Sequence, residues 1–122
     1  MSSEVPGMRM WMVDPRRMCS QHLLGEHVEL HMLVGTLRRK RSVAGFVANG
    51  LIEVHNVRAR HAALVREMRR RGFRHRSPLP TFTARRLGRV VRKKSLADLL
   101  ARCARCRSLD SARRASRAPR SR

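Results

Sequence analysis

Apolar residues recur at helical spacing along much of the chain, and the pattern predicts about three main helices. The first spans residues 21–40, with Leu23, Leu30, Val34 and Leu37 along one side. Ser20 precedes it, and a serine hydroxyl can accept from the free amides of an opening turn. Gly45 and Asn49-Gly50 mark a loop. The second helix spans residues 51–71, with Val54, Val57, Leu64, Val65 and Met68 as its apolar members and Gly72 as its stop. Ser77-Pro78-Leu79-Pro80 reads as an extended connector. A third helix starts at Leu87 or Ser95 and runs to about Cys103, carrying Leu96, Leu99 and Leu100. Residues 8–13 are apolar and fit either an extended segment or a helix. The sum is an all-α, single-domain fold with a long central helix.

Composition sharpens the boundaries of that domain. From Ser111 onward the chain holds only Ser, Ala, Arg and one Pro, a mixture that cannot bury apolar surface. Residues 108–122 are therefore expected to be a disordered basic tail. Residues 1–7, closed by Pro6-Gly7, are expected to be a flexible extension, which leaves residues 8–107 as the folded body. In 122 residues there are one Trp, three Phe and no Tyr, so aliphatic side chains and Met must fill a modest core.

Charge changes the picture more. Twenty-nine Lys and Arg face eight acids, for a net charge of +21. Arginine forks bind phosphate bidentately and stay charged at any working pH, so nucleic acid is the leading partner. Between Glu67 and Asp98 there is no acid, while Arg69, Arg70, Arg71, Arg74, Arg76, Arg85, Arg86, Arg89, Arg92, Lys93 and Lys94 accumulate. No apolar run approaches the ~20 residues of a membrane span, and a basic-then-apolar leader is not seen. Three cysteines then fit reduced thiols in a cytoplasm, with the protein on the nucleoid.

The long helix also carries acids. His22, Glu26 and Glu29 stand at i, i+4 and i+7, within roughly 60° of one another around a helix. Two carboxylates and an imidazole on one face can divide the work of acid, base and phosphate contact. The bland alternative is a solvated face balancing nearby arginines. His27 and His31 are also i, i+4, but the run is not His-Glu-x-x-His and shows no third ligand. Histidines near an apolar stripe are more often core residues than ligands. Cys103-Ala104-Arg105-Cys106 is a lone C-x-x-C far from Cys19, and a tetrahedral site there would have to recruit His75 or a similar residue. The expectation is no metal and no cofactor.

Residues 8–80 resemble the pyrimidine-dimer DNA glycosylase family, the endonuclease V-type enzymes first described from phage. Arg9, Gln21-His22-Leu23 and Glu29 carry the resemblance in order and spacing. So does the run Val57-Arg58-Ala59-Arg60-His61 leading to Arg69-Arg70-Arg71-Gly72-Phe73. The resemblance implies a metal-free helical glycosylase and abasic-site lyase, acting on duplex DNA with damaged pyrimidines or abasic sites, as a monomer. It implies an α-amine nucleophile that forms a Schiff base at deoxyribose C1′, and the spacing puts that residue at Met8. An α-amine has a pKa of about 7.7–8.0, so a useful neutral fraction exists at working pH. The family's essential acid corresponds to Glu29. Arg9 and His22 correspond to residues that hold phosphate and the distorted strand, and Gln21, Arg69, Arg70, Arg71, Arg92 and Lys93 complete the expected DNA-binding set. Two further family arginines are replaced by Val28 and Met32.

Three function classes follow. A DNA glycosylase/lyase leads; a non-catalytic DNA- or RNA-binding protein of the same fold is second; a metal hydrolase built on the His/Glu helix is remote.

Overall fold

The computed structural model describes residues 8–117, and among them five α-helices and two 3-10 turns make an all-α domain without strands. Helix α1, Ser20–Arg38, is the long central helix. Its cap is Cys19, whose sulfur accepts from the His22 amide, and the Ser20 side chain instead accepts from Arg71. The helix ends at Arg38, two residues short of the expected limit.

Helix α2, Ala44–Ala48, is a single turn where a loop was expected. Helix α3, Val57–Arg70, begins six residues later than the periodicity predicts. The reason lies in what residues 51–53 do. The Leu51 carbonyl accepts from the Met10 amide at 2.8 Å, and Glu53 spends its carboxylate on the Asn56 side chain and the Val90 amide. Those bonds hold the segment extended until a 3-10 turn at Val54–Asn56 leads into α3. Gly72 then takes φ +88° and closes the helix as expected.

Residues 72–91 cross the surface without regular structure and return to the core through Gly88. Its φ is +90°, and a Cβ there would lie 2.2 Å from the Ile52 carbonyl oxygen. Only glycine fits that crossing.

Helix α4, Arg92–Arg102, and helix α5, Ala104–Arg117, are separated by one extended residue, Cys103. The tail expected from residue 108 is thus helical as far as Arg117, and residues 118–122 lie outside the described set, as does the expected 1–7 extension. Composition missed Asp110, which is buried and paired with Arg17 from the turn before α1 and with Arg114 one turn on.

The core lies between α1 and α3 and is closed by the N-terminal segment. Met10, Trp11 and Val13 are buried against Leu23, Leu30, Leu33, Val34, Ile52, Val57 and Leu64. Leu99 of α4 and Cys106 of α5 join the same cluster. Residues 8–13 have no regular secondary structure, with Met12 at φ +55°, so the segment passes over α1 instead of adding a turn to it. Among the described residues no helix is long and apolar enough to cross a membrane.

Candidate active site and flanking basic surface

The two acids of α1 meet opposite fates. Glu26 is 1% exposed and accepts both arms of the Arg60 guanidinium, at 2.6 and 2.8 Å, while Arg60 also donates to the Val13 carbonyl at 2.6 Å. This is a buried bidentate pair that joins α1, α3 and the N-terminal segment. Glu29, one turn further, is half-buried, and its protein donor is the Arg9 backbone amide at 2.9 Å. Burial pushes its pKa up and Glu26 adds to the rise, against the lowering by that amide and the Arg9 charge. A carboxyl with one fixed bond, a free oxygen and a raised pKa is suited to passing a proton. The shared face of His22, Glu26 and Glu29 therefore divides: Glu26 belongs to the core.

Residue 8 sits directly beside this carboxyl. Met8 is buried, its sulfur accepts from Thr36 on α1 at 3.7 Å, and its peptide link leads to the amide bound by Glu29. The Arg9 side chain lies over the Trp11 ring at 3.7 Å and pairs with Asp98 of α4 at 3.1 Å. Ser95, also on α4, donates to the Trp11 carbonyl. Arg9, Asp98, Lys94 and Arg102 line one open cleft together with residues 48–51. Val28 and Met32, flanking Glu29 on the outer face of α1, are 56% and 45% exposed. Sequence reasoning missed Asp98 and Ser95; the signal for Asp98 was an acid closing an otherwise wholly basic stretch.

The expected DNA-binding residues fall into two groups. Gln21, Arg69 and Lys93 are exposed, and Arg69 and Lys93 have no carboxylate partner among the described residues. The rest of the set is at least partly engaged. Arg70 pairs with Glu67, and Arg92 with Glu53. Arg71 pairs with Glu67 and donates to Ser20 and to the Pro15 and Met18 carbonyls, fastening α3 to the head of α1. It is an internal strut. Arg74, Arg76, Arg85, Arg86 and Arg89 remain exposed and supply the open basic surface.

Histidines and cysteines gather in two places that linear spacing did not anticipate. His22 points its Nδ1 at Cys19 Sγ, 3.3 Å, and at Cys106 Sγ, 3.9 Å, and Cys103 Sγ lies 3.8 Å from Cys19 Sγ. The Trp11 ring meets His22 edge-on. His27 and His31 of α1 meet His61 of α3 and His75 of the connector. Burial, with smaller contributions from the neighbouring imidazoles, lowers His27 and His61 to a pKa of about 4, so both are neutral at pH 7. His61 and His75 supply the ligands that spacing did not show beside His27 and His31, the thiols are joined by His22 and not by the expected His75, and each group of four could hold a metal ion.

A family model described as pyrimidine dimer DNA glycosylase matches residues 8–81, well over half of the chain. No curated protein and no solved structure matches it.

Proposed function

Because the chain belongs to the pyrimidine dimer DNA glycosylase family, we propose that it excises damaged pyrimidines and then cuts the abasic strand through a Schiff base, with Glu29 as the acid/base. One observation carries this reading: the Arg9 amide donating to Glu29, which puts residue 8 beside the one α1 carboxyl that is not consumed by an arginine. The nucleophile is the α-amine of a polypeptide that begins at Met8. With residues before it, the same nitrogen is an amide and cannot form an imine.

The chemistry follows in balanced steps. The neutral amine attacks C1′, the nitrogen–carbon bond forms as the glycosidic bond breaks, and the departing base takes up the proton that the attacking nitrogen sheds. Glu29 delivers a proton as the sugar ring opens to the iminium. It then accepts the C2′ proton, and the 3′ phosphate leaves by β-elimination. A raised Glu29 pKa assists the first role and does not forbid the second. Exposed arginines and lysines bind the backbone non-specifically, and Gln21, close to the head of α1, faces the same solvent.

The test is borohydride trapping on DNA with an abasic site. A polypeptide starting at Met8 is expected to give a reducible covalent adduct, and one starting at Met1 little or none, with both binding DNA. Acetylating the Met8 amine removes trapping and spares binding. Equal trapping by both polypeptides overturns the assignment of the nucleophile. No trapping or base release by either, with binding retained, means a non-catalytic DNA-binding protein.

A further inference from the structure

We propose that the folded chain holds two zinc ions, one bound by Cys19, His22, Cys103 and Cys106 and the other by His27, His31, His61 and His75. Neither site is needed for the proposed chemistry, and the two rest on different observations.

For the first site the observation is distance. A tetrahedral zinc with Zn–S near 2.3 Å and Zn–N near 2.0–2.1 Å requires S···S of about 3.8 Å and S···N of about 3.5 Å. The structure has 3.8 Å between Cys19 and Cys103, and 3.3 and 3.9 Å from His22 Nδ1 to Cys19 and Cys106. Each sulfur also receives a backbone amide. His22 N–H donates to Cys19, Cys19 N–H to Cys106 and Cys106 N–H to Cys103, at 3.3 to 3.5 Å. Amides aimed at all three sulfurs stabilise thiolates and orient them, as an outer shell around a metal does. Three sulfurs and one imidazole in a tetrahedron select zinc over harder ions. The chain supplies them as Cys-x-x-His and Cys-x-x-Cys, a pair of metal-binding knuckles at opposite ends of the domain.

For the second site the observation is four orphaned atoms. The Nε2 atoms of His27, His31, His61 and His75 are all buried without a hydrogen-bond partner, although such groups are nearly always satisfied. One ring nitrogen from each of the four histidines lies within 4.8 Å of the others. Four unpartnered imidazoles converging on one buried point are satisfied together by a cation between them. Five of the ring-to-ring distances fall between 4.8 and 5.2 Å, close to the roughly 5 Å that tetrahedral imidazole ligation demands.

Four protein ligands leave no open position, so both ions are structural. The histidine site ties the irregular 72–80 connector to α1 and α3. The cysteine site ties α4 and α5, which lie beyond the family match, to the head of α1. It thereby helps to hold Asp98 of α4 against Arg9. In this arrangement His22 is a ligand through Nδ1 and not primarily a phosphate contact. A small, highly charged domain with few aromatics gains from such cross-links.

The experiment uses the full chain, purified without a polyhistidine tag from zinc-supplemented medium, with metal counted by mass spectrometry. Two zinc ions per chain are expected. Replacement by cobalt should give thiolate-to-metal charge transfer in the near ultraviolet together with tetrahedral d–d bands. Cys103→Ser/Cys106→Ser should lose one ion and the charge-transfer band and keep the other ion; His75→Ala should lose the ion without thiolate character. Stripping both ions should lower the thermal midpoint by on the order of 10 °C. Should a variant fail to fold, the unsubstituted chain decides. Thiols that react with a disulfide reagent equally before and after zinc addition, or that oxidise to a disulfide without taking up zinc, overturn the first site. A stoichiometry of one with the thiolate band present, or uptake of copper or nickel but not zinc, overturns the second.

Discussion

Glu26 and Glu29 stand one turn apart on the same helix, yet one is buried in the core and the other is half-buried against the N-terminal segment. Glu26 is held by a bidentate arginine and satisfied on both oxygens. Glu29 has one amide and a pKa pushed upward. The inner acid stabilises the fold and does no chemistry; the outer acid is left incompletely satisfied and is available for it. A buried ion pair tolerates the loss of neither partner, whereas a half-buried carboxyl with a single donor can be neutralised at little cost to the fold.

The largest effect expected from this contrast is on stability. Glu26→Gln leaves Arg60 charged and unpaired in the core, and should cost about 3–5 kcal/mol in urea unfolding. Replacing both partners together, as Glu26→Leu/Arg60→Met, should recover much of that loss. If Glu26→Gln unfolds at the same urea concentration as the parent, the inner acid is not the strut described.

The same division runs through the basic residues. Arg71→Ala removes donors to Ser20, Pro15 and Met18 and should cost about 1–3 kcal/mol of stability. Arg69→Ala should leave stability unchanged, weaken DNA binding across all sequences, and reduce the log–log salt slope by about 1. Equal stability losses from the two substitutions would erase the distinction between strut and contact.

A subtler contrast is with Glu53. Here burial is outweighed by Arg92, the Val90 amide and Asn56, which together hold the carboxyl at about 2, well below its ordinary 4.5. A depressed folded pKa gives stability that is complete above the unfolded value and is lost as pH falls from 4.5 toward 2. Glu53→Gln should flatten that acid limb of the thermal midpoint. The smallest effect is expected from Glu29→Gln, which should leave the thermal midpoint unchanged or slightly raised, because an ionised, half-buried carboxyl is removed.

Much of the fold was legible because it rests on local signals. Helix α1 and the Gly72 stop followed from spacing and from one residue's left-handed freedom. The late start of α3 was not legible, since it depends on Met10 and Val90, which reach residues 51–53 from distant parts of the chain. Helix α5 was hidden because its anchor is a single buried acid, Asp110, in a run whose composition otherwise argues for disorder. A helical wheel put His22, Glu26 and Glu29 on one face but carried no information on what packs against it. The metal-type clusters failed for the same reason. Cys-x-x-His, Cys-x-x-Cys and the His27/His31 pair are all visible in the sequence, whereas their pairing with each other, and with His61 and His75, is set by the tertiary fold.

The most direct measurement is single-turnover strand cleavage of saturating abasic DNA by Glu29→Gln in the Met8-start polypeptide, with affinity measured alongside. Cleavage should fall by about 10²–10⁴-fold, with DNA affinity equal or higher. Cleavage at the parent rate, with affinity unchanged, would contradict the assignment of Glu29 as the acid/base.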